Sequence, residues 1–88
     1  MVREQIEDKI IKIIVLELLQ NEDKIDEIDK NSKFYDEIEI DSISVIDLLV
    51  LIEENFNIEI EDVTEFTDSL TDINGLAEFI YNKQNDSL

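Results

Sequence analysis

Apolar residues recur at spacings of three and four from Val2 to about Gln20, with Ile6, Ile10, Ile13, Ile14 and Leu18 on one line. That period predicts an amphipathic helix. Ile11, Val15, Leu16 and Leu19 widen the stripe, so the helix should be buried on more than one side. From Asn21 to Ile40 the period is lost, and Asn21-Glu22-Asp23 and Asp29-Lys30-Asn31-Ser32 act as breaker clusters. A connection of about twenty residues is unusual in a compact domain and has to be pinned to something. Ile25, Ile28, Phe34, Ile38 and Ile40 are its apolar anchors.

A second helix is predicted from Asp41 to about Asn55. Asp41 suits its N-cap, because a carboxylate there can accept from an N–H that the first turn leaves without an intrahelical partner. Leu48, Leu49 or Leu51, and Ile52 fit its core face; Ile43, Ile46 and Val50 follow a different line, more apolar surface than one core-facing stripe needs. Phe56-Asn57-Ile58-Glu59-Ile60 alternates like a strand, but a lone strand has no partner, so it reads as an extended connection. Asp62 to Phe66 predicts a short helix capped by Asp62. A last helix runs from a Thr71 cap to about Asn82, burying Ile73, Leu76, Ala77, Phe79 and Ile80. Gly75 inside it costs roughly 0.5–1 kcal/mol relative to Ala. The expected fold is therefore all-α: a small four-helix bundle of three longer helices and one short one, with a long loop between the first two. Residues 1–82 form one domain and 83–88 a frayed tail.

Composition narrows the chemistry. Eighty-eight residues allow one small core, and an apolar share of 43% is too high for a disordered acidic tail. Seven basic and 24 acidic side chains give a net charge of −17, which disfavours nucleic acid and anionic membrane surfaces and favours basic protein surfaces as partners. There is no Cys and no His, so a thiol nucleophile, a Ser–His–Asp arrangement and the commonest metal ligands are all missing. The single Gly75 cannot build a phosphate-cradling loop. No apolar run approaches the ~20 residues of a membrane span, and Met1 to Gln5 lacks a signal-peptide pattern. The chain reads as a cytoplasmic monomer without catalytic residues or a metal site of its own.

The informative residues are Ile40-Asp41-Ser42-Ile43, then Ser44-Val45-Ile46-Asp47-Leu48, then Glu53-Glu54-Asn55-Phe56. A serine directly after an acidic N-cap, heading an acidic helix and preceded by a long loop with a candidate buried Phe34, resembles the acyl carrier protein family. The resemblance covers nearly the whole chain. It implies that Ser42 carries 4′-phosphopantetheine from coenzyme A and that Asp41 is part of what the phosphopantetheinyl transferase recognises. It also implies that acyl groups are held as thioesters and presented to synthase enzymes of fatty-acid synthesis with basic docking patches. Asp41, Asp47, Glu53 and Glu54 would meet those patches, steering encounter more than adding affinity, with Ile43, Ile46 and Val50 as apolar contacts. Ile10, Ile14, Leu48, Ile52, Phe56, Ile60 and Phe66 would line a shelter for long chains, a role that ordinary core packing explains equally well. A phosphodiester on Ser42 also suits physics, because a helix N-terminus offers free N–H groups and a positive dipole end. The thiol at the end of such an arm supplies the nucleophile that the chain lacks.

Three positions depart from the family pattern: Glu39 stands where a Gly is usual, Ile60-Glu61 replaces Ile-Pro, and Ser44 replaces a further acidic residue. They bear on which partners dock. The absence of Gly-Gly before the motif argues against a peptidyl carrier. Ser42 taken alone could be an ordinary first-turn serine. Asp68-Ser69-Leu70 imitates the motif but precedes a turn, and Ser44 lacks a directly preceding acid. Asp29 to Ile40 fails as a calcium loop, with Phe34 at the glycine position and Ile40 at the closing Glu. Glu53-Glu54 reads as a solvated face. The alternatives are a dedicated carrier for polyketide or other specialised synthesis, and an unmodified acidic interaction subunit.

Overall fold

The computed structural model of the chain, which describes residues 2–86, begins with helix α1 at Arg3–Lys12. Val2 N–H donates to Gln5 Oε1 at 3.2 Å and opens the helix. The helix does not stay regular to Gln20. From Ile13–Leu18 it widens into a π-helical segment, with Leu19 N–H donating to the Ile14 carbonyl (2.7 Å) and Asn21 N–H to Val15 (2.9 Å). Three consecutive side chains, Ile13, Ile14 and Val15, are buried there, while Leu16 is turned outward against the expectation that it widens the buried stripe. Branched side chains are stiff and crowd an α-turn, and a wider turn presents more neighbours to one side. Gln20 then takes a positive φ of 53° and ends the element.

The connection that follows is more structured than its breaker residues predict. Glu22–Asp26 forms a 3₁₀ turn, capped by Asn21, whose side-chain oxygen accepts from Asp23 N–H. Phe34, Ile38 and Ile40 are buried as expected, but Ile25 is exposed and Ile28 only half-buried. The rest of the pinning is polar backbone. Ser32 accepts from Ile73 N–H (3.2 Å), Lys30 accepts from Asn74 N–H (2.9 Å), and Phe34 N–H donates to Thr71 (3.2 Å). Lys33 and Asp72 thereby form a single antiparallel bridge. Ser32 itself is buried and its Oγ accepts from Asp29 N–H.

Helix α2 spans Ser42–Phe56, capped by Asp41 at its start. Asn57, at φ 54°, stops it in the left-handed region, and Ile58 N–H reaches back to the Glu53 carbonyl. Residues 58–60 are the expected extended link, burying Ile58 and Ile60. Helix α3 is Val63–Asp68, two residues longer than expected, with the Asp62 carboxylate accepting from Thr64 and Glu65 N–H. Helix α4 runs Ile73–Asp86. Two boundaries need correction. The side chain that accepts at its start is Asp72, from Gly75 N–H at 2.7 Å, rather than Thr71. At the other end the helix continues four residues past Asn82; Lys83 lies over the Phe79 ring and 3.8 Å from Glu65, and no Pro or Gly intervenes. Ser87 and Leu88, the end of the expected tail, lie outside the described residues.

The expected all-α bundle is what the chain forms. α1 packs chiefly on α4, and α2 on the π-helical segment. One core joins Ile6, Ile10 and Ile14 to Leu48, Ile52, Phe66, Leu76 and Ile80. The radius of gyration of 11.9 Å matches the about 12 Å expected of a folded domain this long. Gly75 has a packing reason: a methyl there would run into Thr71 Oγ1 and sit 2.9 Å from the Ser69 carbonyl oxygen. Helix propensity alone gives Gly75→Ala a gain of roughly 0.5–1 kcal/mol. The crowding reverses the sign, and urea denaturation should show a loss of about 1–3 kcal/mol.

Candidate functional site

The approach to α2 is held residue by residue. Phe34 is fully buried and its carbonyl accepts from Ile40 N–H (3.0 Å); Ile38 N–H donates to Lys33. Between the buried Ile38 and Ile40 the chain turns at Glu39 with a φ of 60°. This is the position where the resembled family usually has Gly, and the reason is now visible: the turn needs the left-handed region that Gly enters freely. The glutamate makes it under strain.

Asp41 follows as the N-cap. Its carbonyl accepts from Val45 N–H (3.0 Å) and its Oδ1 accepts from Ser44 N–H (2.8 Å). The Ser44 amide, helped by the Ser44 hydroxyl, holds the exposed Asp41 carboxyl below its ordinary value of 3.8. Ser44, which the sequence marked only as a departure from the family pattern, is thus a positioning residue. Its place three residues after the cap was the available signal.

Ser42 is the first residue of α2 and is exposed; its hydroxyl has no hydrogen-bond partner among the described residues. The other described serines differ. Ser32 Oγ is used by Asp29 N–H in the buried loop, Ser69 Oγ donates to the Phe66 carbonyl (2.6 Å), and Ser44 is half-buried in the first turn. Asp68-Ser69-Leu70 is indeed a turn before α4.

Along α2, Ile43 (76% exposed), Ile46 (51%) and Val50 (44%) form an outward apolar line, with Asp47 and Glu54 exposed on the same helix. Glu53 is placed differently: it is half-buried and its Oε2 accepts from Ile60 N–H at 2.9 Å, tying the following link to the helix. At the C-terminal end Lys9 donates to the Asn55 carbonyl (2.8 Å) and lies 5.1 Å from the Phe56 ring centre, a cation where the helix dipole is negative. Ile10, Ile14, Leu48, Ile52, Phe56, Ile60 and Phe66 all belong to the buried core. Residues 34–82 contain 14 acidic side chains and no Lys or Arg. Among the described residues no cluster of three or more acidic groups is arranged to hold a metal ion, and no helix is long and apolar enough to cross a membrane.

Known proteins bear on this arrangement directly. The phosphopantetheine attachment site family matches residues 10–80, which include the whole of α2 and its approach. An acyl carrier protein of Buchnera aphidicola subsp. Schizaphis graminum (strain Sg) is 34% identical over 76 residues, covering 86% of this chain and 91% of that protein. The chain belongs to the acyl carrier protein family. Acyl carriers bear covalent 4′-phosphopantetheine, are carriers rather than catalysts, and work with a phosphopantetheinyl transferase and acyl-processing enzymes. The α2 N-terminus of this carrier fits that group: an unbonded hydroxyl faces solvent at a helix end that favours a phosphate.

Two outcomes follow from the approach to this carrier's α2. The left-handed turn costs a non-glycine residue roughly 1–2 kcal/mol, and glycine's extra freedom when unfolded returns roughly 0.5–1. Glu39→Gly should therefore raise stability by about 0.5–1 kcal/mol in urea denaturation. For Asp41 the folded carboxyl titrates below its ordinary value, so its capping stabilises above that value and is lost as pH falls through the lower, folded one. Asp41→Ala should lower the melting temperature at pH 7, and the gap between the two proteins should close as the pH falls through the lowered titration of the folded Asp41 carboxyl.

Proposed function

We propose that Ser42 is the attachment point of the phosphopantetheine arm and that the chain carries acyl intermediates of fatty-acid synthesis in the cytoplasm. The observation that carries this reading is the state of the four described serine hydroxyls: Ser42 alone is exposed, unbonded and first in a long helix. In this role Ser42 Oγ anchors the phosphodiester, and the first-turn N–H groups and the dipole of α2 favour the negative charge fixed there. Asp41 fixes the start of the helix through Ser44 N–H and so keeps the Ser42 side chain at its outer rim. When attached, the arm supplies a terminal thiol that holds the acyl group as a thioester.

Recognition falls to the rest of α2. Asp41, Asp47 and Glu54, with Ile43, Ile46 and Val50, form the surface for the transferase and for acyl-processing enzymes with basic docking patches. With no cation in 34–82 to offset the carboxylates, the helix attracts such patches over a distance. The half-buried Glu53 contributes chiefly by holding the link to α3.

Incubation with coenzyme A and a phosphopantetheinyl transferase should add the mass of one phosphopantetheine, read by intact mass spectrometry. Ser42→Ala should lose the addition completely, whereas Ser44→Ala should keep it. Addition retained by Ser42→Ala would overturn the assignment. Cargo recovered from the native host, as straight-chain acyl thioesters or as other acids, separates fatty-acid synthesis from specialised pathways.

A further inference from the structure

A second surface lies away from α2. An open groove of about 730 Å³ runs between α1 and the 21–40 connection, and no residue of α2 lines it. Its apolar part is Ile11, Ile25 and Ile28, of which Ile25 is 37% exposed and the other two half-buried. Its charged part has four carboxylates, Glu4, Glu7, Asp8 and Asp29, against two ammonium groups, Lys12 and Lys30. None of these four carboxylates forms an ion pair among the described residues. Glu4 faces both Glu7 and Asp8 along α1, at i+3 and i+4, and Lys12, four residues after Asp8, is the one cation of α1 in the lining.

We infer that this groove is a docking surface for a cationic amphipathic helix of a partner protein. From Glu4 to Lys12, α1 offers about 12 Å of lining at 1.5 Å per residue, the length of a two-turn helical contact. Apolar side chains on one face of such a helix meet Ile11, Ile25 and Ile28, and Lys or Arg beside them meets Glu4, Glu7 and Asp8. Charge selects this occupant over a second copy of the chain, because a copy with 24 acidic and 7 basic side chains brings more repulsion than complementarity. Because the groove shares no residue with α2, a protein held there leaves Ser42 and its recognition face open. The groove thus fits a tether, and α2 the exchange of successive enzymes.

The test uses the full-length, isotope-labelled chain and a leucine–lysine amphipathic helical peptide as probe, followed by NMR. Saturable one-to-one shifts centred on Ile11, Ile25 and Ile28 are expected, with transferase labelling of Ser42 unchanged by the peptide. Glu4→Gln combined with Asp8→Asn should weaken binding about threefold. Ile25→Glu is the discriminating variant. It adds negative charge while removing an apolar contact, so groove docking predicts about fivefold weaker binding, whereas attraction to a generally acidic surface predicts tighter binding. Shifts centred on Ile43, Ile46 and Val50, shifts spread evenly over the acidic surface, or a tighter complex with Ile25→Glu would each overturn the proposal.

Discussion

The antiparallel bridge between Lys33 and Asp72, with the hydrogen bonds on either side of it, fixes the middle of a twenty-residue connection onto the start of α4. The approach to α2 follows directly from that anchorage. Phe34 is pressed into the core beside it, its carbonyl holds Ile40, and Ile40 delivers the chain to Asp41 and Ser42. Each bond is worth on the order of 1 kcal/mol net. Acting in series, they convert a segment rich in turn-formers into a rigid lead-in. α2 is held in the bundle by its own core face, and the lead-in fixes how the chain enters it at Asp41.

Charge gives the molecule a direction. The seven basic residues all lie in 3–33 or at Lys83, and the stretch containing α2 and α3 is acidic throughout. Three of those cations are used internally: Arg3 on Asn74 (2.6 Å), Lys9 on the end of α2, and Lys83 beside Glu65 and Phe79. Self-repulsion within 34–82 is offset at Glu65 by Lys83 and is otherwise borne by packing, which the buried aliphatic and aromatic side chains of 48–80 supply. A partner with cations relieves this repulsion on binding, which links association to the chain's own electrostatic strain.

Much of this was legible in the sequence because it follows from short-range rules. The period of three and four gave α1, α2 and α4, and Asp41 and Asp62 were readable as caps because a carboxylate one position before a helical run has few other uses. The family was readable because Asp41, Ser42 and their neighbours matched its pattern over the whole register, and residues 10–80 match the family. What could not be read depended on contacts between distant segments. Ser32 is an ordinary loop serine until Ile73 and Asn74 arrive to bond that stretch. Glu53 looks like any surface acid until the link beyond Asn57 turns back and offers Ile60 N–H. Ile25, apolar and therefore expected inside, lies at the rim because the 3₁₀ turn carries it outward. The Thr71 cap was misplaced by one residue, since either of two adjacent polar side chains satisfies the local rule; it is Asp72 that accepts from Gly75 N–H.

The widened segment Ile13–Leu18 has a consequence for how this chain tolerates a change of length. A π-helical turn accommodates one more residue than an ordinary turn between the same flanking positions. Loss of one position there is absorbed by tightening the coil, leaving Ile6 and Ile10 on α4 and the approach to Ser42 undisturbed. The first element is thus where this chain can lose a single residue with the least displacement of the start of α2.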